Sequence, residues 1–211
     1  MTPQTLRLLR ALRRLSPFLV VLGVYGVVAW ICSTIPLLNV LGYEFAFFFA
    51  VVASLASCHL TVVLVHRWRR LREDPLESPL TPQGGVLALF GRALVVNLGL
   101  LVLPLDILSA NAVHVRNCNY LEGVAWFLVL PGLSTVVAVA WGTALGLLPV
   151  RRRWAVLGGY LVVLGSLALG VWRFYSEPPV CQYDPFAGYF SGNLYDDHIT
   201  ITDSVIFARL Y

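Results

Sequence analysis

Five long apolar runs limit the fold of this chain more strongly than any other feature. They cover residues 17–38, 45–66, 85–108, 121–148 and 154–172. Each run has about 20 residues or more, enough for an α-helix to cross about 30 Å of hydrocarbon. We therefore predict an all-α fold: a polytopic membrane bundle of about five transmembrane helices over residues 17–173, with tails at 1–16 and 174–211. The first run favours a retained helix over a cleaved signal peptide, because no small-x-small site follows it cleanly.

The charged content agrees with a lipid environment. Only 12% of the 211 residues are charged and 58% are hydrophobic, whereas soluble domains average about 25% charged residues. So few charges cannot coat a water-facing surface of this size, and we expect the lipid bilayer to be the main partner. The 15 basic residues are all Arg, and their placement argues against nucleic-acid binding.

Eleven of these arginines fall on one predicted side of the membrane. They occupy the amino-terminal tail and the links after the second and fourth runs: Arg7, Arg10, Arg13, Arg14, Arg67, Arg69, Arg70, Arg72, Arg151, Arg152 and Arg153. The positive-inside rule then predicts a bacterial inner-membrane protein with a cytoplasmic amino terminus and an extracytoplasmic carboxyl terminus. The Leu and Arg spacing within residues 1–16 predicts an amphipathic helix on the inner leaflet.

Four polar residues inside the runs are candidates for an intramembrane site, since such residues are costly in lipid. His59 and Arg92 each lie roughly 10 Å from the cytoplasmic ends of their helices, so they could line one inward-facing pocket. The structural alternative, which we favour, is that Arg92 snorkels to the headgroups and His59 bonds a neighbouring helix. Asn97 lies near the middle of the third run, and Asp106 lies close to its outer end.

Small residues repeat every four positions along the fourth run. Ala138, Gly142 and Gly146 predict a close-packing helix face, and the partner is either another helix of the chain or a second subunit. The run also contains Pro131-Gly132, where we expect a kink or a tilt.

Two cysteines, Cys118 and Cys181, fall on the predicted outer side and are a candidate disulfide, since that compartment permits oxidation. A Cys2His2 metal site with His114 and His198 is a weaker reading of the same residues, because the spacing is not typical. We therefore predict no metal and no cofactor.

The outer tail combines acidic and aromatic residues with turn formers. Asp184, Asp196, Asp197 and His198 are candidates for a carboxylate site that faces outward. A purely structural reading is a cap folded down at the membrane interface, where aromatic side chains are favoured. The apolar finish at Tyr211 suggests that the chain is a fragment of a longer protein.

Residues 184–197, DPFAGYFSGNLYDD, also carry a resemblance. The stretch resembles a D-P-F-x-G-Y-x-x-G-x-L-Y-D-[DE] segment of uncharacterised polytopic bacterial membrane proteins, some of which have a zinc-peptidase-like domain further along. The sequence shows no such downstream domain, so the resemblance implies no peptidase residues here.

Common catalytic signatures are absent from the sequence: it has no H-E-x-x-H, P-loop, G-x-G-x-x-G or G-x-S-x-G motif. We therefore expect a non-enzymatic membrane anchor or a subunit of an envelope complex, with a membrane protein partner or self-association. One alternative is a transporter-like protein with an inward-facing polar pocket. The other is the membrane part of an enzyme with the outer carboxylate site.

Overall fold

The computed structural model describes residues 3–73, 85–115, 119–176 and 181–191. Within these ranges the chain forms seven α-helices, one short π-helix and one β-hairpin. The helices are α1 (Pro3–Thr34), α2 (Tyr43–Glu73), α3 (Val86–Leu100), α4 (Val102–Asn111), α5 (Tyr120–Phe127), α6 (Leu133–Leu147) and α7 (Arg152–Ser176), and the π-helix Leu128–Gly132 joins α5 to α6. The hairpin strands are β1 (Cys181–Asp184) and β2 (Gly188–Ser191).

Five helical segments are long and apolar enough to cross a membrane. They are Leu15–Thr34, Tyr43–Arg70, Val86–Asn111, Tyr120–Leu147 and Arg152–Arg173. The predicted helical bundle with five membrane-spanning segments is therefore confirmed. The basic amino-terminal segment is continuous with the first span, because α1 runs unbroken from Pro3.

Two spans contain a local break, and both breaks lie near a proline. In the third span, α3 and α4 meet at Leu101, whose N–H donates to the Leu98 carbonyl at 3.1 Å. Pro104 follows within one turn and has no N–H to continue the helical ladder. In the fourth span, Pro131 lies inside the π-helix, where we expected a kink or a tilt.

Helix α2 forms the centre of the bundle. In the most apolar stretch of α2, 61% of the residues are buried inside the bundle, against 22% in the corresponding stretch of α1 and 22% in that of α7. Its amino-terminal half packs in an aromatic core in which Phe45 and Phe49 contact Phe127 of α5. Tyr25 of α1 meets Phe49 edge to face, with ring centroids 5.2 Å apart. The outer helices are left with broad apolar faces for lipid.

The hairpin turns over the three residues between Asp184 and Gly188, which face each other in the antiparallel register. Gly188 has φ 104°, a left-handed conformation that favours glycine at this position of a three-residue loop. The described part of the carboxyl-terminal tail therefore forms a β-hairpin. Its tip enters the bundle, as described below.

Candidate functional site

Glycines bring α2, α6 and α7 close enough for their polar side chains to meet. A Cβ at Gly142 would lie 2.9 Å from the Cys58 carbonyl oxygen, and one at Gly146 would lie 2.7 Å from Val65 Cβ. On α7, a Cβ at Gly159 would lie 2.6 Å from Cys58 Sγ. The small-residue face of the fourth span therefore packs against α2 within the same chain. Of the two partners that the sequence left open, it is the helix of the same chain that contacts this face.

A cavity of about 780 Å³ opens between the arginine-rich ends of these helices. Seven of the nine described residues that line it are Arg or His, the other two are valines, and none of the nine is acidic. The lining consists of His59, His66, Arg69, Arg70, Val150, Arg151, Arg152, Arg153 and Val156. Such a surface attracts anions, because its positive charges lie close together beside low-dielectric walls.

Two lining side chains are held in place by backbone carbonyls. Arg69 donates to the Leu148 carbonyl at 2.8 Å, with longer contacts to Gly146 and Leu147. A cation at the carboxyl end of α6 is favoured by the unpaired carbonyls and the helix dipole there. His66 lies within 3.1 Å of the Val62 carbonyl and 3.3 Å of the Val150 carbonyl. These contacts tie the loop between α6 and α7 to α2 and fix one wall of the cavity.

The inner end of the cavity is polar as well. His59 Nδ1 and the Tyr160 hydroxyl share a hydrogen bond of 2.7 Å, and the two rings stack with centroids 5.9 Å apart. The pair joins α2 to α7 about three turns inward from Arg70 and about two turns inward from Arg152. His59 of this pair lines the cavity, and Tyr160 holds the His59 ring in place.

On the other side of this pair, the hairpin tip is inserted between α2 and α7. Asp184 is only 4% exposed. Its Oδ1 accepts the backbone N–H groups of Phe186 and Ala187 at 2.8 and 2.7 Å, and its Oδ2 accepts the Ser166 hydroxyl. Ser54 of α2 donates to the Phe186 carbonyl at 3.0 Å. Strand backbone is tolerated at this depth because the bundle supplies its polar partners.

The same order of contacts runs along both helices. From the hairpin toward the cavity, α2 presents Ser54 and then His59, and α7 presents Ser166, then Tyr160, then Arg152. The hairpin contact and the His59–Tyr160 pair are separated by about 8 Å of helix rise. The hairpin tip thus lies at one end of the contact between α2 and α7, and the cavity opens at the other, arginine-rich end.

The other predicted intramembrane residues lie away from this cavity. Arg92 is exposed on α3 and is not among the lining residues, so the expected His59–Arg92 pocket is replaced by His59 with the arginines of α2 and α7. Arg92 lies on α3, which borders α6 rather than this opening. Asn97 is buried and donates to the Ala93 carbonyl at 2.8 Å and to Thr61 Oγ1 at 3.4 Å. Asp106 is exposed on α4.

The predicted packing face and outer site are placed only in part. Ala138 is fully buried and shares a cluster with Cys58 and Phe186, so it belongs to the same helix contact as its two glycines. Three outer-tail residues, Asp196, Asp197 and His198, lie outside the described residues. Cys118 also lies outside them, and of Cys181 only the backbone is described.

Two residues of the site were missed by the sequence reasoning. Tyr160 and Ser166 lie in the fifth apolar run, six residues apart, and both contact groups on other elements. A hydroxyl in a membrane span was the available signal, because it is costly in lipid unless it finds a partner. Within the described part of the chain no three His, Cys, Asp or Glu side chains group as metal ligands.

Comparison of the chain with family models, curated proteins and solved structures gives no match. The resemblance of residues 184–197 to polytopic bacterial membrane proteins therefore stays a prediction.

Proposed function

We propose that this chain is a bacterial inner-membrane protein that binds an anionic ligand from the cytoplasm in the basic cavity between α2 and α7. The proposal includes a cytoplasmic amino terminus and an extracytoplasmic carboxyl terminus. Arginine placement supports this orientation, and it puts the mouth of the cavity on the cytoplasmic side. The proposed activity is ligand binding by a transporter-like or receptor-like module, without a chemical step of its own.

The observation that carries the proposal is the composition of the cavity lining. Five guanidinium groups and two imidazoles surround about 780 Å³, and none of the described lining residues carries a carboxylate. An exposed cluster of arginines on a loop would serve topology alone. Here the cluster is concave, and Arg69 and His66 are already held by backbone carbonyls. Arg70, Arg151 and Arg152 are exposed, so their guanidinium groups can turn toward a ligand.

The two other functions expected from the sequence receive less support. The anchor or complex-subunit hypothesis rested partly on the small-residue face, and Gly142 and Gly146 use that face inside the chain. The enzyme hypothesis rested on outer carboxylates. Of these, Asp184 is buried with three donors around it, an arrangement typical of a structural carboxylate.

The proposal can be tested by ligand-dependent thermal stability of the protein in a neutral detergent. Inorganic pyrophosphate should raise the melting temperature, because a ligand at 100 times its Kd stabilises the folded state by about 2.7 kcal/mol. The variant R70Q/R152Q should lose this shift. The matched control R92Q/R173Q removes the same charge from exposed arginines outside the cavity and should keep it. An equal shift in both variants would refute the assigned site, and no shift in the native protein would refute anion binding.

A further inference from the structure

A strip of apolar side chains on α7 leads from the basic cavity along the membrane-spanning part of the helix. Trp154, Leu157, Leu161 and Leu164 are 57%, 44%, 64% and 48% exposed. Their spacing of three, four and three residues places them on one face of the helix. This strip begins beside Arg153, whose guanidinium lies 5.7 Å from the Trp154 ring centroid.

The cavity itself lies at the level of lipid headgroups. Arg70 ends the second membrane-spanning segment and Arg152 begins the fifth, and both line the cavity. Trp154 next to them is the residue type that favours the boundary between headgroups and hydrocarbon. A ligand with a charged head and an apolar tail can therefore place the head among the arginines and the tail along the strip, without leaving the bilayer.

The size and chemistry of the cavity favour a phosphate ester over a simple ion. About 780 Å³ lies within the range of pockets that hold whole small molecules, about 300–1,000 Å³. Guanidinium groups match phosphate oxygens in pairs of parallel hydrogen bonds. His59, which lines the cavity, offers a further hydrogen bond to a hydroxyl group of a headgroup.

We infer that the cavity binds the phosphodiester headgroup of an anionic glycerophospholipid from the arginine-rich leaflet, with an acyl chain along the strip Trp154–Leu157–Leu161–Leu164. The inference rests on the proposed anion site and names its ligand class. Basic pockets between membrane helices on the cytoplasmic side are suited to such headgroups. Free phosphate compounds share the headgroup chemistry and lack the apolar tail, so the two sources can be separated by experiment.

The test compares three probes on the full chain in a neutral detergent: dioctanoyl phosphatidylglycerol, dioctanoyl phosphatidylcholine and inorganic pyrophosphate. We expect phosphatidylglycerol to raise the melting temperature and phosphatidylcholine to leave it unchanged. The variant R70Q/R152Q should weaken phosphatidylglycerol binding by about tenfold or more, since each lost charged hydrogen bond is worth at least that factor. Excess pyrophosphate should displace phosphatidylglycerol from the native protein, a measurement that needs no variant to fold.

A second pair of variants isolates the strip. L157S/L161S should weaken phosphatidylglycerol binding and leave pyrophosphate binding unchanged. Its control, L87S/V95S, makes the same change at exposed apolar residues of α3 and should alter neither. Pyrophosphate binding with equal responses to the two lipids would overturn the lipid inference and leave the anion site standing. No response to either anion would remove both.

Discussion

The buried carboxylate of Asp184 gives the sharpest test of how the hairpin is held in the bundle. Asp184→Ala removes the acceptor of two backbone N–H groups and of the Ser166 hydroxyl, in a position that is 4% exposed. A buried donor left without a partner costs about 1–3 kcal/mol, and three donors are affected. Because neighbouring effects do not add fully, we expect the free energy of unfolding to fall by about 3 kcal/mol or more.

The isosteric change Asp184→Asn separates hydrogen bonding from charge. The amide oxygen can keep both backbone donors, and the amide N–H₂ can donate to Ser166 Oγ, whose hydroxyl hydrogen then turns elsewhere. Only the charge assistance is lost, so we expect a change within about 1 kcal/mol. The matched control is Asp106→Ala on α4, where the carboxylate is exposed and removal should change stability by no more than about 0.5 kcal/mol.

Unfolding of the purified protein by sodium dodecyl sulfate in mixed micelles, followed by tryptophan fluorescence, measures these differences. Chymotrypsin cleavage after Phe186 gives a local readout, since an undocked hairpin exposes that bond and a docked one buries it. An Asp184→Ala protein as stable as the native one would refute the argument from unsatisfied donors. Equal damage from Ala and Asn would show that the negative charge itself is required.

Three further changes test the rest of the structure. Gly142→Ala should destabilise the protein by about 1–3 kcal/mol, because the added Cβ would overlap a carbonyl of α2. The control Gly165→Ala should not destabilise it, because a Cβ there meets nothing within 4 Å. A double-mutant cycle of His59→Phe and Tyr160→Phe, read from unfolding curves, should give a coupling of about 0.6 kcal/mol; zero coupling would contradict their hydrogen bond. A phosphatase reporter fused after Tyr211 should be active outside the cytoplasm, and cytoplasmic activity would reverse the proposed orientation.

The membrane-spanning segments could be predicted closely because length and hydropathy decide them. The second run was predicted as residues 45–66, and the span is Tyr43–Arg70. The additional turn at the end of the span carries arginines. A search for apolar residues leaves them out, although arginine is a good helix former and the helix continues through them. The first helix likewise begins at Pro3, well before the apolar run, since helix formation does not stop where the hydrocarbon does.

The candidate site was predictable only in its parts. Arginine counting placed Arg70 and Arg152 on one side of the membrane, but it could not show that their loops converge on one cavity. Turn formers and aromatic residues marked the tail as ordered. Whether the hairpin tip inserts between the helices depends on where Ser54 and Ser166 face after the helices pack. Helix packing of this kind cannot be predicted from the local sequence. His59 was identified because an imidazole about 10 Å inside a membrane span is unusual. Its partner Tyr160 was not identified, because a single hydroxyl stands out little in an apolar run.

The close packing of α6 and α7 around Cys58 of α2 sets the positions of both the His59–Tyr160 pair and the hairpin tip. Cys58 lies where glycines at positions 142 and 159 leave no room for a side chain, so α6 and α7 approach it closely from two sides. That approach brings His59, the residue after Cys58, within hydrogen-bonding distance of Tyr160, the residue after Gly159. It also leaves α2 and α7 in position to contact the hairpin tip from both sides. A larger residue at Gly159 would separate these two helices, so it should weaken hairpin docking and reshape the cavity together, whereas a change at Asp184 should affect the hairpin alone.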